Sequence, residues 1–128
     1  MITALIDHLN DDATYSGLVG RRTYPTVLPQ KVTLPAVAYQ QISRLPFHDR
    51  RAPDSLVRTR YQFSVNGSTY SSVITIMNAL KAALQGFTNN NPRVDRVFLE
   101  GERDTDQPDI DENYYYRRVI DAIVVHEE

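Results

Sequence analysis

Val57, Thr59, Tyr61, Phe63 and Val65 alternate with Arg58, Arg60, Gln62 and Ser64. A period of two puts each set on its own face of a strand, so residues 56–65 read as a strand with one apolar and one polar, basic face. Asn66-Gly67-Ser68-Thr69 then forms a turn that ends in an N-cap. Directly after it the period changes. Tyr70, Val73, Ile74, Met77, Leu80, Leu84 and Phe87 recur at helical spacing, which predicts a long amphipathic helix over about 69–86. Gly86 is placed to end it. Both elements are apolar on one side only, so Tyr61 and Phe63 should be buried against Val73, Ile74, Met77 and Leu80. Each large side chain so buried contributes about 1.5–3 kcal/mol.

The flanking segments are less regular. Ile2, Leu5, Ile6 and Leu9 predict a short N-terminal helix over 2–11. Asn10-Asp11-Asp12 weakens it, because these side chains compete for backbone hydrogen bonds. Gly17 and Gly20 mark a turn region. Pro25, Pro29 and Pro35 exclude residues 21–35 from a central strand, since each removes a ladder donor; the stretch reads as an extended arm or edge segment. Residues 36–44 and 94–100 read as strands, and Pro46 and Pro53 bracket a polar loop. Residues 88–92 form a loop, and residues 101–113 are acidic and turn-rich. The last strand, 114–125, is apolar on both faces towards its end, which places that end centrally in a sheet. The expected architecture is α+β, a mostly antiparallel sheet of about four to five strands. The long helix packs on one face, and a short N-terminal helix joins it.

The 128 residues fit one domain, 1–128. Apolar residues are 41% and charged residues 23%, the balance of a globular chain that can hold itself with one core. With no cysteine, disulfides and thiolate metal sites are excluded. Met1-Ile2-Thr3-Ala4 opens without a basic region and long apolar run, so no secretion leader is expected. No apolar stretch approaches the ~20 residues of a membrane helix. A formal charge of −2 argues against a coat for nucleic acid. Its distribution says more: residues 1–64 hold eight basic and five acidic side chains, residues 65–128 six and eleven. This asymmetry fits either two solvated faces or self-complementarity between neighbouring copies.

Catalytic patterns fail one by one. His8, His48 and His126 show no paired ligand spacing and read as scattered surface histidines. Asp104-Thr105-Asp106 opens like a calcium loop. Pro108 then takes the third ligand position, Asp109 replaces the required glycine, and Tyr115 stands where a bidentate Glu belongs. Neither Lys31 nor Lys81 follows an acid at the nuclease spacing, and no nucleophile elbow or phosphate loop occurs. Tyr114-Tyr115-Tyr116 beside Arg117-Arg118 could stack on bases, but tyrosine is also a strand and interface residue.

The ordered segments carry a resemblance. Arg22-Thr23-Tyr24-Pro25, Leu28-Pro29-Gln30, the run from Leu34 to Ser43 and the run from Val57 to Val65 resemble the phage tail-completion, or tail-terminator, family. Gly67-Ser68-Thr69-Tyr70, the helix end Ala83-Leu84-Gln85-Gly86, and Arg117, Arg118 and Asp121 in the last strand also fit. The resemblance spans nearly the whole chain, with least support over 88–113. It implies a non-enzymatic virion subunit without cofactor, membrane contact or sequence-specific nucleic-acid binding. Such a subunit forms a ring, typically of six copies, at the head-proximal end of a long tail after assembly in the host cytoplasm. Its partners would be itself, the tail-tube protein and a head-connector or neck protein. Within such a ring, Arg50, Arg51, Arg58 and Arg60 of one copy could face Asp104, Asp106 and Asp109 of the next. Two alternatives stay open: another neck or connector subunit, and a small enzyme using scattered residues such as His48, Asp49 and Arg50.

Overall fold

Asp12, expected to end the first helix, also starts a second. The computed structural model describes residues 2–26, 28, 33–46, 56–90, 93–105 and 116–127. Helix α1 runs Ile2–Asp11. Helix α2 follows at Ala13–Val19, with the Asp12 carboxylate capping it by accepting from Tyr15 N at 2.9 Å. Gly20, at a φ of 61°, closes α2 in the left-handed region that glycine favours. The sequence reading of Gly17 and Gly20 as marks of a turn region therefore gives way at Gly17 to a helix, in which Tyr15 and Val19, one turn apart, are the buried residues. Tyr15 also ties α2 to the sheet, its hydroxyl 2.7 Å from Thr23 Oγ1. Burial pushes this phenol up to about 12, against the smaller opposing pull of that bond.

The strands are β1 (Thr23–Pro25), β2 (Ala36–Pro46), β3 (Leu56–Gly67), β4 (Asn89–Asn90), β5 (Arg93–Asp104) and β6 (Tyr116–Glu127), with helix α3 (Tyr70–Leu84) between β3 and β4. They form one six-stranded sheet in the order β1-β2-β3-β6-β5-β4. Among the described residues this is an α+β fold with six strands and three helices, rather than four to five strands and two helices. The additions are α2 and two short edge strands. β1 lies inside the proline-rich stretch and pairs with β2 in parallel, the only parallel pair among the described residues. It is the edge role that the prolines allow. The central position of β6, between β3 and β5, agrees with its two apolar faces.

Register sorts the side chains. Tyr61 lies opposite Ala122 and Phe63 opposite Ile120, and both pairs face the helices. Phe63, Val65, Val73, Met77, Leu80, Ala122 and Val124 are fully buried in one cluster that also takes Leu5, Leu9, Tyr15 and Val19. The expected core forms, with one shift. Ile76 is buried where Ile74 is only half-buried, and Tyr70 is 45% exposed. The buried arc follows 73, 76, 77, 80, 83, 84 and 87, because α3 touches α1 and α2 as well as β3 and β6. Ala79 and Ala83 keep that approach close. Gln85 caps α3, and Gly86, at a φ of 76°, turns the chain away as expected. His8 packs its ring on Phe87, centroids 4.5 Å apart, and bonds to Ala83 O at 2.7 Å.

Candidate functional site

The sheet face away from the helices carries Arg58, Arg60, Gln62 and Ser64 of β3. It also carries Asp121, Ile123 and Val125 of β6, and Arg96, Phe98 and Glu100 of β5, all placed by the same alternation. Val119, Ile123 and Val125 on this face are buried outside the main core. Arg60 sits at the centre. Its guanidinium donates to Asp121 Oδ2 at 2.8 Å and to Glu100 Oε2 at 3.1 Å, linking three strands. Those bonds, to Glu100 and then Asp121, hold the guanidinium charge even more firmly than usual. Arg96 lies over the Phe98 ring at 5.6 Å.

A second cluster lies where the β5 and β6 ends meet α3. Arg118 bonds to Glu102 through Nε at 3.0 Å and to Asp104 through Nη1 at 2.7 Å. Lys81 of α3 reaches Glu102 at 2.6 Å, and the Tyr70 hydroxyl donates to Asp104 at 2.9 Å. Lys81 first, then Arg118, hold the Glu102 carboxyl below its usual range. Arg118, then Tyr70, do the same for Asp104. The bond to Asp104 in turn raises the Tyr70 phenol. Tyr116 packs edge-on against Tyr70, ring centroids 5.9 Å apart, and both are about half exposed.

Of the residues expected to meet a neighbouring copy, Arg60 and Asp104 are thus each engaged within the chain, in separate clusters. Arg58 is exposed on the open face. Arg50, Arg51, Asp106 and Asp109 lie outside the described residues, as do His48, Asp49 and most of the would-be calcium loop. The pairing of Arg60 with Glu100 and Asp121, and of Asp104 with Arg118 beside Glu102, is hidden from sequence, because it depends on the β3–β6–β5 register. Arg117, read as a possible base-stacking companion, instead donates to Asn66 Oδ1 at 2.9 Å.

The histidines are not uniformly on the surface. His126 is buried, its Nε2 lying 2.7 Å from Thr59 Oγ1 and its Nδ1 2.6 Å from Glu127 O. A carbonyl only accepts, so Nδ1 carries the proton and Nε2 accepts from the threonine. Burial lowers this imidazole's pKa. Among the described residues no group of three or more His, Asp or Glu side chains is placed to hold a metal ion.

Comparison with known proteins adds two findings. The family model described as tail completion protein gp17 matches residues 3–127. A chain from the virion of the native gene transfer agent (GTA) particle shares the fold. Its TM-score is 0.77 at 16% identity, over 97% of this chain and 92% of that one. No curated protein sequence matches.

Proposed function

Because the chain belongs to the tail completion protein gp17 family, and is therefore a structural protein of phage tail assembly rather than an enzyme, we propose that it acts as a tail terminator. In this reading identical copies, six in number, close into a ring at the head-proximal end of the tail tube. The ring stops tube growth and offers the head connector its joining surface. A ring of one chain type uses two different surfaces of each subunit that fit by rotation. In this reading Arg50, Arg51, Arg58, Arg60, Asp104, Asp106 and Asp109 contribute to the charged rim of that contact. Rim charges fix orientation more than they add affinity.

The observation that carries this reading is the match of nearly the whole chain, at nearly the whole length of its counterpart, to a subunit of a virion. The match supports the reading because that chain comes from an assembled virion particle, the setting in which a terminator would work. The test is deletion of the gene followed by electron microscopy of the tails. A terminator's loss gives tube-like tails of uncontrolled length that join no heads. Tails of normal length that merely fail to join heads would move the role to the neck, as a head-completion or stopper subunit.

A further inference from the structure

Among the described residues, the two ends of the sheet are covered only in part, and in complementary ways. β1 covers β2 only at Val37–Tyr39, and β4 covers β5 only at Arg93 and Val94. Among the described residues, no strand pairs with the outer edge of β2 from 40 to 46, or with that of β5 from 95 to 104. Unpaired edges of this length are templates for another strand, and soluble proteins commonly blunt them with lysine or proline. Pro46 closes the first of these edges, but Gln40–Leu45 and residues 95–104 contain neither residue. Instead these runs carry exposed apolar side chains: Ile42 at 48%, Leu45 at 63% and Phe98 at 43%. Their charges also differ in sign. Residues 40–45 hold Arg44 as their one charge, while residues 95–104 hold two arginines and four carboxylates.

Strand direction completes the match. The pairs β2–β3, β3–β6 and β6–β5 are all antiparallel, so β2 and β5 run in opposite directions. Rotation about an axis roughly along the strands preserves direction and keeps every subunit's helices on the same side. It therefore brings β5 of one copy beside β2 of the next in antiparallel order, the arrangement already used by the three long pairs. We propose that the partner of these edges is a second copy of this chain, and that the outer edges of β5 and β2 join by strand addition into a sheet continuous around the ring. The proposal rests on the ring reading above and specifies its main-chain contact. The two edges are different surfaces, so the contact is head-to-tail and can close.

The absence of cysteine makes the test direct. Leu45 and Phe98 lie on the same sheet face, as do Gln40 and Glu100. Within one chain each pair is separated by three strand spacings, about 14 Å, beyond a disulfide's reach. Two double variants, Leu45→Cys with Phe98→Cys and Gln40→Cys with Glu100→Cys, sample two staggers of the join. The second changes only polar positions, in case loss of Leu45 and Phe98 harms the subunit. Particles assembled with each variant are purified, oxidised and run on a denaturing gel. The expected result is a ladder of covalent multimers reaching the copy number of the ring, with single-cysteine controls stopping at dimer. If particles show a ring by electron microscopy but neither pair gives any species above dimer, edge joining is overturned while the ring stands. Particles with no ring of this subunit would overturn both.

Discussion

Thr59 Oγ1 lies 2.7 Å from Nε2 of His126, with both side chains buried at the β3–β6 pair. Thr59 occupies an apolar-face position in the β3 alternation, and a buried hydroxyl there must find a partner. His126 supplies it. Thr59→Val keeps the shape and strands the histidine nitrogen without its donor, at a cost of ~1–3 kcal/mol. Urea unfolding measures this, and an unchanged midpoint would show that water serves the ring instead.

The same histidine gives a pH dependence. Burial lowers its folded pKa from the ordinary 6.5. As pH falls, the unfolded chain therefore binds a proton before the folded one does. The stability involved is full above 6.5 and is lost as pH falls through that value towards the lower folded one. Melting temperature should drop as pH falls below 6.5, and drop less in His126→Gln. Equal slopes in both proteins would assign the titration elsewhere. Simultaneous replacement of all three histidines is consequently not neutral for folding, although it removes no ligand set from the described residues.

Phe63 is the side chain on which the β3–α3 core depends. It is fully buried and packs beside Tyr39, ring centroids 6.1 Å apart. Phe63→Ala should cost about 3–5 kcal/mol. A loss under ~1 kcal/mol in denaturant melts would contradict this core.

The junction of Arg118, Glu102, Asp104, Lys81 and Tyr70 should loosen in acid. Both carboxyls titrate below their ordinary values, 4.5 for Glu102 and 3.8 for Asp104. Their contribution is present above those values and is lost as pH falls through the lower folded ones. Solvent screens these partly exposed side chains, so the effect is local rather than global. Hydrogen exchange read at 102–104 and 117–119 should quicken in Arg118→Ala near neutral pH. Unchanged protection would mean that backbone pairing alone holds this end.

Alternation and helical spacing made the centre of the molecule legible, because they report directly which side of an element meets the core. Phe63, Met77 and Leu80 fall where the pattern puts them. Tyr70 and Ile74 do not, since one helix stripe had to serve both a sheet and two further helices. Asp12 was read as a breaker because the same carboxylate that disrupts one helix caps the next. The charged residues were the least legible. Arg60 and Asp104 looked like offers to a neighbour, yet each meets residues far away in sequence, Asp121 and Glu100 or Arg118. Only strand register brings those together. Such bonds fix the shape of the subunit, so in the proposed ring a salt-dependent contact would draw on this already paired network.

That contact should respond to ionic strength. Screening shortens to ~3 Å at 1 M salt, so the assembled ring should lose mass in light scattering as salt rises. Charge reversal at Asp104, Asp106 and Asp109 should weaken it at low salt. A mass that stays constant up to ~1 M, where screening is most complete, would assign the contact to strand pairing and apolar packing.

Electron microscopy of the junction between head and tail tests the central claim most directly. With this subunit carrying a small C-terminal label, averaged images should show a closed ring of six labels between the last tube layer and the head connector. Labels along the tube, at the distal tip, or as a single copy at the junction would contradict a terminator ring.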